Sequence, residues 1–168
     1  CDWSSDVCSS DLEIPVIAAV NGPAIGAGFD LANMCDIRIG STNAQFGETF
    51  ANLGLIAGDG GGWFLQRMVG YQRAAELTFT GRTIKAEEAK ALGILLEITE
   101  PGALLARAQE MAAKIATKPP LALRYSKRLL RLAQQQNLPE HLDTCSSFQA
   151  ICQKSDDHAE RSEEHTSE

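Results

Sequence analysis

Between residues 13 and 70 the apolar positions come in short runs separated by glycine turns. Residues 14–20 (IPVIAAV) form a brief β-rich apolar run and read as a buried strand. Asn21-Gly22-Pro23 breaks that run, and Gly26-Ala27-Gly28 follows at once. From Phe29 to Cys35 the apolar positions fall at helical spacing, which predicts a helix starting near Gly28. Residues 36–40 (DIRIG) alternate polar and apolar, as a strand with one buried face does, and 44–47 is a second short strand. A flexible turn, Gly58-Asp59-Gly60-Gly61-Gly62, leads into an amphipathic stretch over 63–69.

Beyond Gly70 the period is mostly helical. Short helices are predicted over 73–79 and 86–92, the second stopped by Gly93 at a C-cap position. Residues 94–98 read as an apolar strand. Leu104, Ala108, Met111 and Ile115 make one face of a helix ending before Pro119-Pro120, and Leu121, Tyr125, Leu129 and Leu132 make the next. A last helix runs from 139 to about 154. With no internal repeat and no linker, this reads as one domain or the larger part of one. Strand–turn–helix units giving way to a helical tail place it in the α/β or α+β class.

Composition narrows the classes without choosing among them. In 168 residues no apolar run approaches the ~20 that span a bilayer, so no membrane span is expected. Aromatics at 6% argue against base stacking and hence against a nucleic-acid partner. The net charge of −7 comes largely from the ends. Residues 161–168 (RSEEHTSE) can be written as AGA TCG GAA GAG CAC ACG TCT GAA, which resembles a common sequencing-library adapter, and residues 2–12 read as one frame of its reverse complement. Residues 1–12 and 161–168 are therefore expected to be non-native, poorly packed segments flanking a domain at 13–160. That domain keeps 14 basic against 16 acidic residues, so its charge says little about partners. Its cysteines, Cys35, Cys145 and Cys152, lack metal-ligand spacing, which fits thiols in a reducing, cytoplasmic compartment and no metal site.

The strand, glycine turn and helix around Asn21–Asp30 could carry chemistry. Glycines let backbone N–H groups converge, and the positive end of a helix favours negative charge. A phosphate site and an oxyanion hole are both open there, with Asp30 on the first helical turn able to move protons. A tight turn whose Asp only complements the helix dipole is the plainer alternative. A dinucleotide fingerprint fits badly: Leu31 stands where Gly or Ala is needed, and Thr49 and Phe50 stand where an acid should hold the ribose. The run from Gly58 to Gly62 lacks the Lys-Ser/Thr of a P-loop.

The segments IPVIAAVNGPAIGAGFDLANMCDIRIGSTNAQFGETFANLGLIAGDGGGWFLQRMVG, RAAELTFTGRTIKAEEAKALGILLEI and KPPLALRYSK resemble, in order and spacing, the enoyl-CoA hydratase/isomerase (crotonase) family. The resemblance covers essentially all of 13–160. It implies a crotonase-like spiral of β-β-α units with a C-terminal helical region, the family's N-terminal part being absent. It also implies an acyl-CoA thioester substrate, no cofactor beyond the coenzyme A of that substrate, and a homotrimer or dimer of trimers.

Residue by residue, the resemblance makes Ala27 the middle of the Gly26-Ala27-Gly28 turn whose N–H is an oxyanion donor. Asp30 takes the place of the first catalytic carboxylate. Phe50 stands where hydratases carry the second catalytic Glu, and Phe cannot move a proton. Asp59, one position beyond where some relatives place another acid, is the expected substitute. Glu48 is close in sequence, but on an extended strand it would share a face with Phe50, which neither excludes nor supports it. Thr49, Phe50 and Gly58 join the turn glycines as expected substrate-binding positions.

Hydration of a trans-2-enoyl-CoA wants one carboxylate for the water and another for the proton at C2, whereas moving a double bond needs only one. The expected function is hydration. An enoyl-CoA or dienoyl-CoA isomerase, or a non-catalytic oligomerising relative, is the alternative. A Clp-type serine peptidase is discarded because Ala27 stands where its nucleophile would be. His141 and His158 read as solvated, Cys145 and Cys152 as packing, and Arg124, Lys127, Arg128 and Arg131 as a solvated basic face that could meet CoA phosphates.

Overall fold

The computed structural model describes residues 12–160; the two end segments lie outside the described residues, Leu12 excepted. The described chain divides into two compact units, 16–113 and 13–15 with 114–160.

In the first unit successive strands are shared between two small sheets. The elements run β1 (Ile17–Val20), β2 (Pro23–Ile25), α1 (Ala27–Met34), β3 (Ile37–Ser41), β4 (Gln45–Gly47), a 3₁₀ turn (Thr49–Leu53), α2 (Gly61–Val69), α3 (Tyr71–Thr80), β5 (Ile84–Lys85), α4 (Ala86–Ala91), β6 (Glu97–Thr99) and α5 (Leu104–Ala116). One sheet has the order β1-β3-β6, all parallel. The other has the order β2-β4-β5, with β2 parallel and β5 antiparallel to β4. Each β-β-α step therefore gives one strand to each sheet, the crotonase-like spiral that the resemblance implies.

Burial explains why such short strands hold. Phe29 of α1, Phe46 of β4, Leu65 of α2, Leu77 of α3 and Ile84 of β5 are almost wholly buried in one cluster. The Phe29 and Phe46 rings lie 5.3 Å apart, tilted by 51°. A smaller cluster joins Ile39 of β3 to Leu104 and Ala108 of α5. Gly40 is built into this packing: a Cβ there would lie 2.6 Å from a Leu95 methyl and 3.3 Å from Ala44 Cβ. Gly40→Ala is therefore expected to destabilise the fold by about 1–3 kcal/mol through overpacking, read as a lower urea midpoint.

Three local expectations are corrected. Pro23 does not end the extended chain; it begins β2, an edge strand where its missing N–H is tolerated. Phe50 lies in a 3₁₀ turn, since β4 stops at Gly47. The strand expected at 94–98 is displaced to Glu97–Thr99, because Ile94 and Leu95 donate their N–H groups to Ala89 O at the end of α4. Both stay buried, so their apolar character marks core rather than strand.

In the second unit α6 (Pro120–Leu132) packs on α7 (Leu138–Gln153), with the Tyr125 and Phe148 rings 4.5 Å apart. Asn137 and Glu140 close a capping box at the start of α7. The basic face of α6 is not uniformly solvated. Lys127 is buried and donates to Ile14 O at 2.7 Å, Arg124 pairs with Glu13, and Arg128 lies 5.3 Å from the Phe148 ring centre.

Candidate active site

The site is assembled where β2 and β4 end side by side. Gly26 follows β2 with φ 56° and ψ −123°, a conformation that suits glycine, and its N–H donates to Gly47 O at 2.8 Å. The Phe50 ring lies over this turn, so that a Cβ on Gly26 would stand 3.4 Å from it. The N–H groups of Phe29 and Asp30 both turn back to Gly26 O, which starts α1 at once. Ala27 and Gly28, exposed at the first turn, have N–H groups with no acceptor among the described backbone atoms. Their position at the positive end of α1 suits an oxygen that gains negative charge.

The same register brings two carboxyls face to face. Asp30 projects from the first turn of α1, and Glu48 comes immediately after β4; their exposures are 0% and 1%. None of their four oxygens meets a protein hydrogen-bond donor of full geometry when both are read as carboxylates. The start of α2 completes the enclosure. A Cβ on buried Gly61 would fall 2.7 Å from Glu48 Oε1 and closer still to Asp30 Oδ1, so glycine alone lets the helix approach.

Burial pushes the Asp30 carboxyl up from its ordinary range, and the Asp59 charge adds to that rise. A hydrogen bond from Glu48 and the nearby Gly61 N–H act the other way. Burial likewise raises Glu48, to about 8, with the Asp30 charge as the next cause. Two buried carboxyls on which, among the described residues, no cation acts are most stable sharing one proton. A protonated Glu48 then supplies the donor that Asp30 lacks.

Of the residues expected from sequence, Gly26, Ala27, Gly28, Asp30 and Phe50 are brought together around the end of β2. Asp59 is half-buried and reaches Asp30 through its charge, while Gly58 is exposed in the turn before α2 and Thr49 is half-buried beside Glu48. Glu48 is the residue whose place sequence reasoning left open. The alternation that would have put it on the face of Phe50 applies only to a strand, and the strand ends at Gly47. Among the described residues no group of three or more His, Cys, Asp or Glu could hold a metal ion, and no helix is long and apolar enough to cross a membrane.

The two-sheet spiral of β-β-α steps is the architecture of crotonase-fold proteins. The family model described as "Enoyl-CoA hydratase/isomerase" matches residues 8–165. The short-chain-enoyl-CoA hydratase of Clostridium acetobutylicum is 42% identical over 139 residues, covering 83% of this chain and 52% of that protein. An enoyl-CoA hydratase structure from Bacillus anthracis superposes with a TM-score of 0.91 at 35% identity, over 95% of this chain and 62% of that one. A structure from Thermobifida fusca YX, solved in complex with CoA, gives a TM-score of 0.80 at 38% identity, over 83% of this chain and 54% of that one. The chain belongs to the enoyl-CoA hydratase/isomerase family, and it spans about half the length of the Clostridium acetobutylicum relative.

Proposed function

We propose that this chain carries the thioester-enolate chemistry of an enoyl-CoA hydratase, adding water to a trans-2-enoyl-CoA. The observation that supports it most directly lies on one turn of α1: an N–H at Ala27 without a backbone acceptor, and a fully buried carboxyl at Asp30 that faces Glu48 and the Gly61 backbone. The thioester oxygen accepts from Ala27 N–H as charge moves onto it, and Asp30 moves the proton. Gly26 and Gly28 keep this approach open, with Thr49, Phe50 and Gly58 around the acyl group and the Asp59 charge assisting Asp30. Coenzyme A enters as part of the substrate, with no separate cofactor. Assembly as a homotrimer or dimer of trimers and a cytoplasmic location belong to the same reading.

Phe50 favours isomerisation as the second reading, because the position offers an aromatic ring and no second acid to the acyl chain. The test is turnover of a short trans-2-enoyl-CoA and of its 3-enoyl isomer, by this chain and by a version extended to the relatives' length. Hydration in either supports the first reading, and isomerisation without hydration the second. Acyl-CoA binding with neither activity indicates a non-catalytic relative.

A further inference from the structure

Glu48 has no role in the chemistry so far, yet it is the most enclosed acid beside Asp30. Its carboxyl is 1% exposed, both oxygens lack a protein donor, and it faces Asp30 across a space that a single methyl on Gly61 would fill. We propose that Glu48 is the positioning residue for Asp30: it holds one proton between the two buried carboxyls and donates it in a hydrogen bond to Asp30, which stays ionised as the working base. The inference rests on the function proposed above and deepens it.

The surroundings leave few other groups to do this. From α1 the facing acid is Asp30 itself, and from the turn before α2 Asp59 acts on Asp30. The start of α2 brings the backbone of Gly61 against both acids. On the β5 side Arg82 is committed to Glu76 at 2.5 Å and Glu88 at 2.7 Å, and Lys85 is exposed. Among the described residues no cation acts on either carboxyl, and a shared proton holds the two together instead.

The proton balance closes. Asp30 takes a proton from the attacking water as the C3–O bond forms, and the π electrons pass into the thioester enolate. The enolate then collapses as Asp30 returns the proton to C2. Glu48 keeps its own proton throughout, so the pair begins and ends with one.

The test uses two readouts. In the chain labelled with ¹³C at the side-chain carboxyls, one Glu signal, assigned by its loss in Glu48→Gln, is expected to stay protonated through pH 7 and titrate above it. In kcat/KM for a short trans-2-enoyl-CoA, Glu48→Gln is expected to erase the alkaline fall, because the amide donates to Asp30 at every pH. Glu48→Ala, which donates nothing, is expected to move the acid limb to higher pH, with the rate on the acid side of that limb falling about tenfold for each pH unit moved. A Glu48 signal that titrates below pH 6, or an alkaline limb unchanged in Glu48→Gln, overturns the proposal. A proton found on Glu48 in a protein that turns over no enoyl-CoA overturns the functional reading instead and leaves the proton assignment standing.

Discussion

Asp30→Asn is expected to lower hydration or isomerisation about 10²–10⁴-fold, the usual contribution of a general acid–base group. The substitution is close to isosteric, so the packing of α1 against β4 and Gly61 is kept while the proton carrier is lost. Stopped assays on folded protein, with melting temperature as a control, give the measurement. Asp59→Asn sorts the roles of the two aspartates. A comparable loss of hydration makes Asp59 a second proton carrier, in place of the Glu missing at position 50. A change confined to the pH profile makes it a charge that acts on Asp30, as its influence on that carboxyl suggests. Undiminished turnover by Asp30→Asn would remove the assignment altogether.

The contrast between Asp30 and Glu48 shows how far the sequence reaches. Asp30 is legible because a glycine turn followed by helical spacing fixes it on the first turn of α1, a local inference that the helix at Ala27–Met34 bears out. The pairing with Glu48 is not local. It depends on the hydrogen bond from Gly26 N–H to Gly47 O and on Gly61 allowing α2 to close over both acids. The helices α5, α6 and α7 were legible for the reason Asp30 was: several turns of 3.6-residue period outweigh any single residue. By contrast β2 and β5, of three and two residues, are too short to show a period, and only their ladder partners define them. Lys127 illustrates the same limit from the other side. Its place in a basic stripe suggests a solvated face, while its ammonium is buried against the carbonyl of Ile14, more than a hundred residues away.

The shared proton also predicts how stability changes with pH. Glu48 goes from an ordinary 4.5 to about 8 in the folded chain, so between those values the unfolded chain gives up a proton that the folded chain keeps. The unfolded state then binds fewer protons, and unfolding free energy falls as pH rises. The stabilisation is fully present below about pH 4.5 and is lost through about pH 8, above which the slope vanishes. A full shift of this size corresponds to a loss on the order of 5 kcal/mol across the window. The raised carboxyl of Asp30 acts in the same direction. Glu48→Gln removes the titrating proton while keeping the volume and the donor to Asp30, so its urea midpoint is expected to be much flatter between pH 5 and 9. At pH 9 the variant should be the more stable of the two proteins, although it replaces a buried, hydrogen-bonded side chain. Parallel slopes in the two proteins would mean that Glu48 is ionised in the folded state, and that another donor, not its proton, holds the pair together.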